Sequence, residues 1–335
     1  MATPSIRMFR RLEGLFCVYK PSGVHWKHVR DGIETSLLKS INATPSQPLP
    51  QAVRFLADPG GNEGASELTL SAASVPVLAN HPLVSGPEFQ HVRVGVGHRL
   101  DAFSSGVLVL GVGNGNKALN DLYKTRVTRD YTLEGEFGIA TDDFSHTGRV
   151  VERSTYGHIT QDKLERVLAM LQGANQKALL TYSNVDMRSQ EAYEMAVQGL
   201  LGPEGKSAPV LTGLRCIRFQ PPHFTLEVQC LNETQKYLRK ILHEIGLELR
   251  STAACKGVRR TRDGPFTLQD ALTRHHWTAS DVMRAIQQYH SSKKSKKKCF
   301  HTQTKDSTTQ PKVENKKTAS QQSEINEETA VNAMS

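Results

Sequence analysis

The stretch GHRLDAFSSGVLVLG, residues 97–111, sets a single carboxylate, Asp101, between a histidine–arginine pair and a wholly apolar run. Val107–Leu110 is short, rich in β-branched residues and closed by Gly111, the pattern of a strand buried on both faces. Ser104, Ser105 and Gly106 read as a turn feeding that strand. Asp101 therefore lies on a tight loop at the mouth of a sheet, where rigid elements commonly present catalytic groups. The same residues also suit an Asx-turn, in which the carboxylate only satisfies its own backbone. Cations recur in three clusters: Lys124, Arg126 and Arg129; Lys236, Arg239 and Lys240; Arg259, Arg260 and Arg262. Each cluster reads equally as a phosphate-contacting site and as a solvated face.

The elements that would position these residues follow from periodicity. Residues 15–19 are a short apolar strand candidate, ended by the turn Lys20-Pro21-Ser22-Gly23. Residues 28–38 suit a helix, 117–124 another, and 131–139 a strand. Thr160 can cap a helix striped by Leu164, Val167, Leu168 and Leu171. HFTLEVQCL, residues 223–231, alternates strictly, which predicts a half-buried strand. In QKYLRKILHEIGLEL, Leu238, Ile241, Leu242, Ile245 and Leu249 repeat at helical spacing. Strands and helices mix without a strict βαβ rhythm. The expected fold class is α/β (α+β), a mixed central β-sheet flanked by helices.

The chain has 335 residues, a formal net charge of +9 and a pI near 9.3. Residues 291–335 carry nine lysines against five acids, so only part of the excess lies there and a polyanionic partner fits the body as well. That lysine-rich tail, with KKSKKK, reads as disordered and too short for another folded module. Residues 39–90, rich in Pro, Ser, Ala, Asn and Gly, read as a long flexible insertion. Five scattered cysteines without a C-x-x-C, and no histidine cluster at ligand spacing, point to a reducing compartment and away from a structural metal. No apolar stretch approaches a membrane span. Residues 1–14 form a basic leader: Arg7, Arg10 and Arg11 precede the first acid, Glu13. This suits the start of a mitochondrial targeting peptide or a plain flexible extension.

Three readings of the chemistry compete. VLVLGVGNGNKAL has the strand, glycine turn and helix of a dinucleotide fingerprint, but the third glycine of G-x-G-x-x-G is missing, and no nucleotide cofactor is expected. A pure RNA-binding module is the second reading, although no RNP-type motif, KH loop or zinc knuckle is visible. The third is enzymatic and rests on motifs. G-x-x-x-R-L-D-x-x-x-S-G-V-L, running from Gly95 to Leu108, resembles the signature loop of pseudouridine synthases. Five further runs, in chain order, resemble the TruB branch of that family. The first is Lys20-Pro21-Ser22-Gly23; the second is DYTLEGEFGIATDDFSHTGRVVE, with its aromatic at Tyr131. TYSNVDMRSQEAYEMAVQG matches at Tyr182, Ser183, Tyr193, Glu194, Ala196 and Gly199. KYLRKILHEIG places its arginine at Arg239, and VRRTRDGPFTLQDAL matches through Arg259, Arg260, Gly264 and Phe266. The likeness spans residues 15–271 and is strongest to the vertebrate mitochondrial TruB-type enzymes.

The resemblance implies a pseudouridine synthase fold for residues 15–290 and the isomerisation of uridine to pseudouridine in RNA, without metal, redox partner or other cofactor. It implies that Asp101 is the catalytic carboxylate, attacking C1′ or promoting a glycal. Arg239 would keep it ionised, since a nearby cation favours the charged form of a buried acid. Tyr131 would stack on the uracil. Lys20, Tyr237, Arg259 and Arg260 are the implied substrate-binding residues, with the Tyr182–Gly199 run contributing. The implied targets are mitochondrial mRNA and a subset of tRNAs, including the T-loop uridine, in the mitochondrial matrix. Other RNA-processing proteins and support of mitochondrial rRNA and translation go with that setting; KKSKKK alone would point to the nucleus instead.

Departures from the branch are specific. LDAFSSG stands where it has LDPxATG, Val96 where it has a histidine and Asp186 where it has a lysine. Its C-terminal PUA domain has no counterpart. The chemical core is kept while tRNA-docking parts change, which favours an altered RNA set. From another class, the alternative is a catalytically weak RNA-binding or RNA-chaperone protein that retains the fold.

Overall fold

The computed structural model describes residues 4–43, 51–57, 70–77, 86–124, 127–182 and 209–303, with isolated positions between these stretches. In chain order they form α1 (Pro4–Arg11), β1 (Gly14–Lys20), α2 (Trp26–Asn42), β2 (Gln51–Ala57), β3 (Leu70–Pro76), β4 (Val94–Val96) and β5 (Ser105–Val112). Then come α3 (Gly115–Lys124), β6 (Arg129–Phe137), β7 (Ile139–Thr141), β8 (Val150–Arg153) and α4 (Gln161–Tyr182). The remainder is β9 (Val210–Gln220), β10 (His223–Leu231), α5 (Gln235–Glu248), β11 (Ala253–Asp263), β12 (Phe266–Thr267) and α6 (Ala279–Gln303).

Eight strands form the mixed central sheet, in the order β1-β5-β11-β6-β10-β9, with β4 on β5 and β12 on β11. Only β5 and β11 run parallel, meeting at Ser105–Arg259 and Gly106–Arg260. The expected mixed sheet with flanking helices is therefore present. Its alternation explains the two-sided burial of β5. Leu108 and Leu110, with Phe16 and Val18 of β1, pack against the α2 stripe Val29, Ile33, Leu37 and Ile41 and against Val282 and Ile286 of α6. Val107 and Val109, with Leu15 and Cys17, pack toward Leu119 of α3 and Phe266. All four β5 side chains are fully buried, each worth about 1.5–3 kcal/mol against exposure. A second core joins β6, β10 and β11 to Leu164 and Leu168 of α4 and to Leu238, Ile241, Leu242 and Ile245 of α5.

Four expectations need correction. The strand expected over 131–139 stops at Phe137, because Gly138 takes φ +94° and turns Ile139–Thr141 into a separate ladder with β8. The leader is not a plain flexible extension: residues 4–11 are helical, and Leu12 is buried in the α2 cluster. Within the insertion, α2 reaches Asn42 and β2 pairs antiparallel with β3; residues 44–50 and 58–69 lie outside the description. The tail expected to be disordered from residue 291 is helical as far as Gln303 in α6, as lysine's good helix propensity allows. Residues 304–335 lie outside the described residues, among which no helix is long and apolar enough to cross a membrane.

Two glycines permit close backbone contact. Gly115 opens α3 where a Cβ would lie 2.1 Å from the Gly14 carbonyl oxygen. The glycine run after β5 thus seats the chain against itself. Gly106, at φ +111°, would place a Cβ 2.1 Å from the Arg260 carbonyl oxygen. Gly106→Ala is expected to lower the unfolding free energy by about 3 kcal/mol or more, read by urea denaturation. A loss under about 1 kcal/mol would show that this strand junction is loose.

Candidate active site

Asp101 sits in the loop between β4 and β5 with both oxygens engaged. Oδ1 accepts from the Ser104 N–H at 2.8 Å, and Oδ2 accepts from Nη1 of Arg239 at 2.6 Å. The Asx-turn and the ion-pair readings thus describe one carboxylate. One oxygen sets the turn; the other meets a guanidinium 138 residues away.

Helix α5 makes that meeting possible. Thr234 caps it by accepting from the Tyr237 N–H at 3.1 Å. Gln235 and Arg239, one turn apart, share a face. Gln235 accepts from the Ser104 hydroxyl at 2.7 Å while Arg239 takes Asp101, so one helix face grips one loop at two points. The neighbouring stripe of Leu238, Ile241, Leu242 and Ile245 anchors the helix in the core. Arg239 also lies 5.6 Å from the Phe103 ring centroid. Its field reaches Asp143 after β7. Burial opposes ionisation there, but hydrogen bonds from Ser145 and the Arg239 charge hold that carboxyl below its ordinary range. The Asp101 side chain is 33% exposed and that of Arg239 15%, so the pair is open on one side.

Lys20 braces the loop from within. Its fully buried ammonium donates to the carbonyls of Ser104 at 2.6 Å, Pro21 at 3.0 Å and Ala102 at 3.4 Å. The Gly23 N–H donates to the Ala102 carbonyl at 2.8 Å. Burial brings the Lys20 pKa down to about 8, with Asp101 opposing and Arg260 adding to the fall. Lys20, expected as a substrate contact, is thus found as a buried brace of the loop.

Behind the loop lies a buried polar network. Tyr131 on β6 is fully buried, and its hydroxyl donates to Glu233 at 2.6 Å. Arg129 donates to both Glu233 oxygens, at 2.9 and 3.0 Å, and its Nε lies 3.3 Å from Asp263. Arg260, opposite Tyr131 in the β6–β11 ladder, donates to the carbonyls of Val107 at 2.7 Å and His98 at 2.9 Å. Its Nη1 lies 3.0 Å from His98 Nδ1 and 3.6 Å from Asp263. Burial, then Arg129 and Arg260, push His98 down to about 3, so it is neutral at physiological pH. Burial works against the Arg260 charge, but Asp263, Tyr131 and Tyr123 overcome it and raise its pKa. Burial carries the Tyr131 phenol well above its ordinary range, so it stays a donor.

Other expected contacts fall differently. Arg260 has no exposed atom to offer RNA, because β11 turns it to the same side as Val258. Tyr237 accepts from Asn175 of α4 at 3.3 Å, and burial pushes its phenol up to about 12. It is part-buried against the core shared by α4 and α5. Arg259 is exposed, 5.8 Å from the Tyr19 ring centroid. Tyr131 presents no open ring face. Most of the Tyr182–Gly199 run lies outside the described residues. Glu233 and Asp263, central to the network, were not singled out by the motif reading.

The family model and the sequence relatives agree on one class. The family described as "TruB family pseudouridylate synthase (N terminal domain)" matches residues 87–236. "Pseudouridylate synthase TRUB2, mitochondrial" of Xenopus tropicalis is 57% identical over 283 residues, 84% of this chain and 86% of that one. Its Homo sapiens namesake is 58% identical over 82% of this chain and 83% of its own. "Pseudouridylate synthase TRUB1" of Homo sapiens is 34% identical over 59% of this chain and 56% of its own. Among solved structures, one of an H/ACA RNP bound to a substrate RNA containing 2′-deoxyuridine aligns at TM-score 0.44 and 16% identity. That alignment covers 81% of this chain and only 54% of the other. The class is an RNA uridine isomerase, a pseudouridylate synthase. Within it, the chain belongs to the TruB family.

The buried Lys20 gives a pH signature. Its folded pKa, about 8, lies below its ordinary 10.5, so the unfolded chain binds more protons between those values. Its contribution to stability is full above pH 10.5 and is lost as pH falls through 8. Urea unfolding of wild type and Lys20→Met across this range should show wild type gaining on the variant as pH rises. A pH-independent difference would contradict the buried ammonium.

Proposed function

We propose that Asp101 is the catalytic carboxylate, and that Arg239 holds and aims it while a flipped uridine closes over the pair. The observation that carries this reading is the 2.6 Å contact between two side chains 138 residues apart, on a face still open to solvent. Isomerisation breaks the N1–C1′ bond, turns the uracil and joins C5 to C1′; the C5 hydrogen leaves and N1 takes a proton. Asp101 either adds to C1′ or removes the C2′ proton to give a glycal, and both routes use the same carboxylate oxygen. With Oδ1 fixed by Ser104 and Oδ2 by Arg239, the carboxylate needs little reorganisation to react.

Tyr131 is the ring against which the uracil packs once the incoming base displaces its cover. In support, it shares a cluster with Leu100, the neighbour of Asp101, and Glu233 fixes its hydroxyl. Taking a base out of its stack costs a few kcal/mol, least in loops and single strands. The substrates are mitochondrial mRNA and a subset of tRNAs, the T-loop uridine among them. The enzyme works in the matrix beside other RNA-processing proteins, and supports mitochondrial rRNA and translation. The relatives named mitochondrial support that compartment, and the altered docking motifs support the altered RNA set.

Purified Asp101→Asn is expected to bind an RNA target with wild-type affinity and to form pseudouridine at least about a thousandfold more slowly. Mass spectrometry of nuclease-digested product reads this directly. Equal activity in both proteins would remove Asp101 from the chemistry.

A further inference from the structure

Two aromatic side chains flank the turn that is bonded to the Asp101 loop. Tyr19 lies just before Lys20–Gly23, and Trp26 opens α2 just after it. Each ring carries a guanidinium: Arg259 at 5.8 Å from the Tyr19 centroid, Arg99 at 4.7 Å from the Trp26 centroid. Lys27 and Arg30 approach the same Trp26 ring at 5.9 and 5.8 Å. Arg99 is two residues from Asp101, so their Cα atoms are at most about 7 Å apart. Trp26 is part-buried, packed by one portion on the α2 cluster, while Lys27, Arg99 and Arg259 are exposed.

The charge balance is one-sided. Among the described residues, the only ion pair within this group joins Arg30 to Asp31. Lys27 and Arg99, which share the ring with that paired arginine, repel each other, and ring attraction offsets only part of that. A polyanion laid across them would relieve the rest. The ring itself suits a base, because stacking on an aromatic face accepts any base and adds to phosphate attraction.

We propose that Trp26, with Arg99 and Lys27, is a platform for the RNA strand beside the target uridine. An unpaired base stacks on Trp26 while Arg99 and Lys27 hold its phosphate, and Arg259 on Tyr19 receives the strand at the other flank of the turn. This rests on the isomerase reading of Asp101 and adds how the flipped state is held: energy from the neighbouring nucleotides offsets the cost of unstacking the target.

The test uses the full chain, with fluorescence anisotropy on a labelled oligouridylate and tritium release from a transcript carrying 5-tritiated uridine. Trp26→Ala should weaken binding and raise KM about tenfold with kcat little changed. Trp26→Phe should recover most of the affinity, and Arg99→Gln should lower the salt dependence of binding by about one ion. The chain has two tryptophans, and Trp277 is buried. Oligouridylate should therefore quench emission in wild type and not in Trp26→Phe. Affinity within about twofold of wild type in both Trp26→Ala and Arg99→Gln, or quenching that survives in Trp26→Phe, overturns the platform. If Trp26→Ala fails to fold, Trp26→Phe and Arg99→Gln decide. Should wild type release no tritium while Trp26→Ala still loses affinity, the isomerase reading falls and the platform stands.

Discussion

The proposed chemistry depends on one ion pair that has to be strong enough to orient a carboxylate and open enough to admit a nucleoside. Asp101 and Arg239 meet at 2.6 Å but remain partly exposed. A pair in such a setting contributes only about 0–1 kcal/mol to stability. It cannot hold its own geometry, so the surrounding chain does. Lys20 ties three carbonyls together, Gly23 bonds Ala102, and Gln235 bonds Ser104. Each of these fixes the loop without occupying the carboxylate face that would meet a substrate.

The second constraint is the buried charge behind the loop. Glu233, Arg129, Asp263 and Arg260 are almost wholly removed from water, a state tolerable only when every charge finds a partner. They do so across β6, β11 and the segment before α5, with the carbonyl and ring of His98 drawn in. The network contributes less to net stability than its number of bonds suggests, because desolvation cancels much of the gain. Its consequence is registry. Arg260 holds the carbonyls of Val107 and His98, so β11 sets the position of both ends of the Asp101 loop.

Periodicity made most elements legible, since burial of one face is written in local spacing: the α4 and α5 stripes and the alternation of β10 are of this kind. Boundaries failed where backbone freedom decided, as at Gly138. Arg239 was legible only through its motif, because nothing local marks which cation of a helix will meet a loop 138 residues away. Motif membership shows that a cation or phenol matters, not whether it faces solvent, so the burial of Lys20 and Arg260 and the bond from Asn175 to Tyr237 could not be read from it. For Arg260 a signal existed. It stands two residues after Val258 and so on the same side of the strand. Glu233 had none, since an acid just before a helix cap reads as a partner for the helix dipole.

The central claim is that Arg239 acts on the reacting carboxylate and not on RNA affinity or folding. Single-turnover pseudouridine formation by Arg239→Gln, at saturating RNA, tests it most directly. The account predicts a rate at least about a hundredfold below wild type, with RNA affinity and denaturation midpoint little changed. A rate within about threefold of wild type, or a loss that tracks weaker RNA binding, would contradict it.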